Sequence, residues 1–230
     1  MAIEYGWESH SGFIKAFKSY YGFSPSLLYA MKLEIIHFGD RDMSNCNFYK
    51  IMDEHLSKEE LFKVLCEKMI EHGYDNQKLN KVYNFCQSIY GDRKRYSGDD
   101  YVTHLLNVSL LLVQMEEEES VIYAGMFCDV FRKTNVAIDE LKENLPDSVV
   151  QILIRLKDYD IEKAGLEDEQ CAVIKIAERL HNMRTIEYME EREKQKRAKE
   201  TIAIFMPIVK KLQDDKLISE LNEISINCLK

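Results

Sequence analysis

Apolar residues recur at intervals of three and four along most of this chain, and that spacing favours amphipathic α-helices over β-strands. Residues 58–71, KEELFKVLCEKMIE, place Leu61, Val64, Leu65 and Met69 on one helical face. The sequence contains only 9 Gly and 3 Pro, which is few for the turn-rich sequence of an all-β protein. The sequence therefore predicts an all-α protein, with helices over 12–20, 58–71, 78–90, 101–115, 120–131, 136–144, 147–158, 168–189 and 193–213.

Composition limits where the protein resides. Hydrophobic residues make up 46% of the 230 residues, which is enough for a substantial core. The longest apolar window, 105–113, is much shorter than the roughly 18 residues that a membrane-spanning helix needs. The N-terminus, MAIEYGWESH, lacks the basic-then-apolar pattern of a secretion signal. The six cysteines form no C-x-x-C pair and are expected to be reduced thiols, so we predict a cytoplasmic protein with no membrane association.

The net charge of −9 argues against general nucleic-acid binding, because such binding depends on neutralising phosphates. It leaves room for a small local DNA-reading element. The stretch 38–57 is polar and poorly periodic, and it is the best candidate for a boundary. We therefore predict a short N-terminal unit at 1–40, a helical connector at 41–75 and a helical domain at 76–230.

Residues 5–26, YGWESHSGFIKAFKSYYGFSPS, resemble the second helix-turn-helix of AraC-type transcription regulators. In that family the recognition helix enters the major groove of DNA. By position, the resemblance implies DNA contacts from Glu8, Ser9, His10, Ser11 and Lys15. The first of the family's two motifs is missing from this sequence, and one truncated motif offers few phosphate contacts. A working DNA reader therefore competes with two alternatives, a vestige and a start codon placed too late.

Four segments combine apolar helical spacing with residues that could act on a ligand. Glu178 and Asn182 lie four residues apart and share a helix face. A histidine, a Cys-Asp pair and a glutamate could converge on one ion if the helices that carry them pack together. The segments are RKRYSGDDYVTH (93–104), FCD (127–129), KIAERLHNMRT (175–185) and KETIAIFMPIVKKL (199–212).

These segments, in this order, resemble the hydrolase domain of the RelA/SpoT family, a branch of the HD superfamily of metal-dependent phosphohydrolases. The resemblance spans about residues 76–212, and its most specific piece is ERLHNMRT, where the family has DRLHNMRT. The patterns S-G-x-x-Y-x-x-H and E-T-x-x-I-x-x-P also match. The resemblance implies an HD-domain helical bundle that removes pyrophosphate from the 3′ position of ppGpp and pppGpp using Mn²⁺.

The metal ligands of that family are His, His-Asp and Asp. By position they become His104, Cys128, Asp129 and Glu178, so one imidazole is replaced by a thiol and one aspartate by a glutamate. Hard ions such as Mn²⁺ prefer oxygen and imidazole ligands. We therefore expect metal binding that is weakened, altered or absent. The alternative is a site without metal in which Asp129 pairs with a cation.

The water-activating Glu-Asp pair of the family is replaced here by Arg132 and Lys133. Neither side chain acts as a base while it is protonated. The sequence therefore predicts that the hydrolytic pair is lost. The two cations could pair with Asp129 and Glu178 in place of a metal, could neutralise the phosphates of a nucleotide, or could simply face solvent.

The nucleotide-binding positions of the family are better preserved. By position, the resemblance implies guanine contacts from Arg95 and Ser97, and sugar or phosphate contacts from Asn182 and Thr185. Tyr96 replaces a family lysine and could stack on a base. His181 matches a family histidine that is not a metal ligand, and we interpret it as structural.

Three functions remain open. The favoured hypothesis is a catalytically degenerate HD-domain protein that senses a guanine nucleotide, or a related phosphorylated nucleotide, and is linked to transcription control. The second is an active metal-dependent phosphohydrolase with remodelled ligands. The third is a structural interaction domain with an empty cleft. Bound metal and turnover would separate the enzyme from the sensor.

Overall fold

The computed structural model of the protein describes residues 56–230, which form helices and turns and contain no β-strand. The predicted all-α class is confirmed. No helix within this part of the chain is both long and apolar enough to cross a bilayer. The α-helices are α1 Lys58–Glu71, α2 Asn76–Tyr90, α3 Tyr101–Gln114, α4 Glu119–Gly125, α5 Val130–Lys133, α6 Ile138–Asn144, α7 Asp147–Asp158, α8 Ile161–Ala164, α9 Glu169–Arg184, α10 Glu191–Glu200, α11 Met206–Val209 and α12 Asp215–Asn227.

The described residues fall into two compact units, 56–189 and 190–230. The predicted helix-turn-helix remnant and its DNA-contacting residues lie outside the described part of the chain. The predicted boundary at residue 40 lies outside it as well, and the division into three segments stays a prediction.

Helix α3 is the centre of the first unit. It contacts α1, α2, α4 and α9, and its sequence is apolar on nearly every side, as expected of a helix enclosed by others. Leu105, Leu106 and Leu112 are fully buried, and each such side chain stabilises the fold by about 1.5–3 kcal/mol. His104 lies in the first turn of this helix and is thereby carried into the core, where it is 2% exposed.

Helices α3 and α4 approach closely at Gly125. A Cβ atom at this position would lie 2.6 Å from Cδ1 of Leu112 and 3.2 Å from Oγ of Ser109. Ser109 Oγ also donates a hydrogen bond of 3.0 Å to the carbonyl oxygen of Ile122, which holds the two helices together. The absence of a side chain at Gly125 therefore sets the spacing of this helix pair.

Replacing this glycine tests the close approach. Gly125→Val is expected to lower the free energy of unfolding by about 2–3 kcal/mol, because the added methyl groups must displace the buried Leu112 side chain. Urea denaturation gives the measurement. Ala137→Val enlarges a side chain to the same valine at an exposed position and should change stability by less than about 0.5 kcal/mol. Equal effects of the two substitutions would show that Gly125 is not tightly packed.

Most helices predicted within the described residues are present. The short α8 was not predicted, the helix predicted over 168–189 ends at Arg184, and the one predicted over 193–213 is divided into shorter elements. Two further differences concern the turn before α5 and helix α12. The single helix expected over 120–131 is interrupted, because residues 126–129 form turns whose N–H groups bond three residues back. Asp129 leaves helical geometry there, with φ −130° and ψ 20°. Helix α12 was not predicted, although Asp214 caps it by accepting bonds of 3.0 Å from two backbone N–H groups, those of Lys216 and Leu217.

The second unit packs α12 against α10 and α11. A π-helix over Thr201–Phe205 connects α10 to α11, and a short 3₁₀ turn follows at Lys210–Leu212. Another 3₁₀ turn, Ile186–Tyr188, lies at the end of the first unit. Pro207 lies at the start of α11, directly after the π-helix. The π-helix, whose turn is wider than that of an α-helix, suits that position, because proline donates no backbone hydrogen bond and its ring would clash with the preceding turn of a regular α-helix.

Candidate functional site

Asp129 is held by two tyrosines. Its carboxylate is 3% exposed and accepts a hydrogen bond of 2.9 Å from Tyr90 Oη, while its second oxygen accepts from Tyr101 Oη. The two tyrosine rings stack with their centroids 5.7 Å apart. Burial, reinforced by the charge of Asp129, raises the pKa of both phenols, so both remain donors at neutral pH. Both oxygens of this buried carboxylate therefore accept hydrogen bonds from protein groups.

Glu178 lies on α9 between two cations. Its Oε1 is 2.5 Å from Nη2 of Arg132, and its Oε2 is 3.0 Å from Nζ of Lys175. Burial alone would raise the pKa of this carboxyl, but Lys175 and Arg132 outweigh burial and leave the pKa below its ordinary value. Glu178 is therefore ionised at neutral pH, and its negative charge is balanced by the two cations.

Lys133 takes a different place from Arg132. Its Nζ lies 5.9 Å from the centroid of the Tyr101 ring, within the range of a cation–π interaction. Among residues 56–230 it has no carboxylate partner. The expected pairing with Asp129 is therefore not formed, and the exposed ammonium group lies beside the tyrosine that holds Asp129.

His104 and His181 form a buried pair. Their Nδ1 atoms lie 2.8 Å apart, so one imidazole donates and the other accepts. Burial lowers the pKa of both rings well below the ordinary value of 6.5, and Arg95 adds to the effect on each. The two imidazoles are therefore neutral at pH 7. His181, which was interpreted as structural, is the direct partner of His104.

Cys128 is 4% exposed. Burial raises the pKa of its thiol well above 9.0, and the negative charges of Glu178 and Asp129 raise it further. A protonated thiol is a poor metal ligand, because the thiolate is the form that binds metal.

This donor set does not fit a hard divalent cation. In the described part of the chain, no group of three or more His, Cys, Asp or Glu side chains is arranged to hold one ion. Asp129 and Glu178 are engaged with protein donors, and Cys128 is neutral. Of the predicted ligand set, Asp129 therefore belongs to an acid–tyrosine cluster, Glu178 to an ion-pair cluster and His104 to a histidine pair, while Cys128 is a buried thiol outside all three.

Three of the four predicted nucleotide-binding residues come together. Nη2 of Arg95 lies 3.0 Å from Oγ1 of Thr185 and 3.4 Å from Oδ1 of Asn182, across about ninety residues of sequence. Ser97 instead donates a hydrogen bond of 2.6 Å to Asp99 within its own turn. The Arg95, Asn182 and Thr185 cluster joins the loop before α3 to the end of α9.

The loop that carries Arg95 is anchored at both ends. Asp100 accepts ion pairs from Lys94 at 2.5 Å and from Lys58 at 3.1 Å, which ties the loop to the start of α1. Gly98 turns the loop with φ +92°, a conformation that favours glycine. Tyr96 projects from this loop and is 79% exposed.

Sequence reasoning did not identify all of the groups that complete these clusters. Lys175 had a local signal, since it lies three residues before Glu178 on the same helix face. Tyr101 belongs to the S-G-x-x-Y-x-x-H pattern but was not assigned a partner. Tyr90 had no local signal, because its contact with Asp129 spans 39 residues.

Comparisons with known proteins agree with this architecture. Residues 160–213 match a family model described as an HD domain. A GTP pyrophosphokinase of Streptomyces antibioticus is 28% identical over 168 residues, covering 66% of this chain and 20% of that protein. The guanosine-3′,5′-bis(diphosphate) 3′-pyrophosphohydrolase of Aquifex aeolicus is 27% identical over 161 residues, covering 64% of this chain and 23% of that protein. The chain thus spans about a fifth of the length of these curated relatives.

A solved structure, that of a metazoan orthologue of SpoT described as hydrolysing ppGpp, shows the same fold. It aligns with a TM-score of 0.50 at 19% identity and covers 66% of this chain and 95% of its own. The helical arrangement therefore agrees with that fold. Residues 160–213 match the HD-domain model, and the chain is similar to members of the RelA/SpoT family of (p)ppGpp hydrolases and pyrophosphokinases.

Proposed function

We propose that this chain binds a guanine nucleotide with phosphates at its 3′ position, such as ppGpp, without a metal ion, and that it acts as a regulatory sensor. The observation that carries this proposal is the ion-pair cluster in which Arg132 and Lys175 hold Glu178. By the family resemblance, this is the region where a metal-dependent hydrolase would hold its ion.

The phosphate side of the site would be supplied by cations. Arg132 binds Glu178 through one edge of its guanidinium, and its side chain is still 58% exposed. Arginine can therefore offer further N–H groups to a phosphate while it keeps this ion pair. The exposed Lys133 lies in the next position and adds a second positive charge. Together they can attract and orient phosphates in the manner that a metal would.

The base and sugar side would be supplied by the Arg95, Asn182 and Thr185 cluster. Arg95 is half-buried and positioned by its two hydrogen bonds, so little side-chain freedom is lost when it binds a ligand. The exposed ring of Tyr96 lies beside it on the anchored loop and offers a surface on which a base can stack.

Hydrolysis would be slow at this site. Loss of a general base typically reduces a rate by a factor of about 10²–10⁴. Arg132 and Lys133 are cations at neutral pH and cannot take a proton from water. Binding without turnover therefore fits the residues better than catalysis does.

A calorimetric titration of ppGpp into the protein, with Mn²⁺ and again with a chelator, tests this proposal. The sample should then be assayed for released pyrophosphate. We expect saturable binding that survives the chelator and releases no pyrophosphate. Pyrophosphate release with Mn²⁺ would instead support the second candidate, a phosphohydrolase, which is favoured by the similarity to the Aquifex aeolicus pyrophosphohydrolase.

Variants locate the binding to this cleft. Arg95→Ala is expected to weaken ppGpp binding by roughly 10- to 100-fold, because it removes a cation and releases Asn182 and Thr185. Arg93→Ala, at an exposed position on the same loop, is the matched control and should change affinity by less than about threefold. Equal weakening by both variants would mean that the loop's charge, and not the cluster, attracts the nucleotide.

A link to transcription control is part of the same proposal and rests on the AraC-like residues 5–26. The genomic sequence upstream of Met1 tests it. An in-frame first helix-turn-helix would support a DNA-binding unit, whereas an early stop codon would remove that part of the proposal.

A further inference from the structure

A cavity of about 200 Å³ lies beside the turn at residues 126–129, between α5, α7 and α9. Its floor is apolar and buried, formed by Phe127, Val130, Leu153 and Leu156. None of Arg95, Asn182 and Thr185 lines it, and it shares Arg132 with the phosphate side of the proposed nucleotide site.

The rim of this cavity is cationic. Arg132, Lys157 and Lys175 line it, whereas Asp129 is the carboxylate in its lining. Asp129 already accepts hydrogen bonds from two tyrosines, and the single negative charge of Glu178 is shared between Arg132 and Lys175. The three cations that line the cavity therefore outnumber the two carboxylates, Asp129 and Glu178.

Lys157 supplies the excess positive charge. Its Nζ lies 5.5 Å from the centroid of the Phe131 ring, and within residues 56–230 no carboxylate pairs with it. An ammonium group at the edge of an apolar cavity is a suitable partner for an anionic group whose remaining atoms are apolar.

The size of the cavity restricts what it can take. Pockets for drug-sized ligands are typically about 300–1,000 Å³, so a cavity of about 200 Å³ is too small for a nucleotide. We propose that this cavity is a second binding site, for a small organic anion with one carboxylate or phosphate group and an apolar body of about one ring. The anionic group would lie at Lys157 and the apolar body would pack against Leu153 and Leu156.

Ligand-observed NMR titration with phenyl phosphate and with benzoate tests this site. Both probes should bind saturably, with a Kd on the order of 1 mM for ligands of this size. Inorganic phosphate presents only the anionic group, and benzyl alcohol presents only the ring. Each should bind at least roughly tenfold more weakly, since each engages only one half of the site. Absence of saturable binding by both phenyl phosphate and benzoate would overturn the proposal.

Three exposed-lysine variants make the assignment specific. Lys157→Gln should weaken phenyl phosphate binding by roughly fivefold, and Lys157→Glu should remove it, because the charge at the rim is first neutralised and then reversed. Lys81→Gln changes an exposed lysine on α2, distant in sequence from the cavity, and should leave the affinity unchanged. Unchanged affinity in Lys157→Glu would place the probe elsewhere. Lys157 has no part in the proposed nucleotide contacts, so its variants test this cavity apart from Arg132, which both proposals use.

Discussion

Acidification from pH 7 to pH 5.5 is expected to lower the free energy of unfolding by about 2–3 kcal/mol, with His104 and His181 as the main source. The two rings are buried against each other, with their Nδ1 atoms 2.8 Å apart. Burial holds the pKa of each well below 6.5, so the folded protein keeps both neutral as the pH falls.

The direction of this effect follows from proton uptake. In the unfolded chain both histidines regain an ordinary pKa near 6.5 and take up protons below it, whereas the folded chain does not. The stabilisation is therefore fully present above about pH 6.5 and is lost progressively below it, at about 1.4 kcal/mol per pH unit for each histidine. Glu178 has a lowered pKa, so its contribution is lost only below its ordinary value of 4.5.

Urea denaturation over this pH range provides the measurement, and the slope of stability against pH is the quantity to compare. The double variant His104→Gln, His181→Gln should show a nearly flat slope between pH 7 and 5.5. His72→Gln replaces an exposed histidine on the first unit and should keep the slope of the parent protein. If the double variant kept the parent slope, the histidine pair would not be the source.

Replacing Arg132 and Lys175 together by methionine is expected to destabilise the protein by about 3 kcal/mol. The Glu178 side chain is 12% exposed, and the double replacement leaves its charge without a cation. Each single replacement should cost only about 1 kcal/mol, because the other cation remains. Replacing Arg132 should cost less than replacing Lys175, because the Arg132 side chain is 58% exposed and solvent partly screens its charge.

Rescue distinguishes the charge from simple loss of packing. Adding Glu178→Gln to the double variant removes the unpaired charge and should recover most of the lost stability. Lys163→Met breaks an exposed ion pair with Asp160 and should change stability by less than about 0.5 kcal/mol. A triple variant as unstable as the double variant would refute the assignment of the loss to an uncompensated charge.

The fold was predictable where local signals agree. Helix α1 matches the predicted 58–71, because its periodicity is reinforced by a capping box between Ser57 and Glu60. The interruption before α5 was missed, since an apolar run without proline gave no reason to end a helix at Gly125. The carboxylate of Asp129, which bonds tyrosines from two other helices, belongs to a tertiary contact that no local pattern encodes.

The site was predictable only through the family resemblance. Arg95 and Thr185 lie 90 residues apart, and nothing in their local sequence indicates that they meet. The family patterns predicted which residues to examine, but not how their charges are balanced. The pairing of Glu178 with Arg132 was one of three alternatives suggested by charge reversal against the family pattern, whereas the histidine pair and the two tyrosines depend on packing between helices.

The ion pairs of Glu178 and the burial of Cys128 also bear on how such a site can change over evolutionary time. Arg132→Glu alone would set two carboxylates side by side at Glu178, and Cys128→His alone would force a ring into a space where the thiol is 4% exposed. Each step towards a metal-binding set is unfavourable until the others are present, which is sign epistasis. Sequences with one or two of these exchanges should therefore be rare among descendants of either arrangement, and lineages should separate into two discrete kinds.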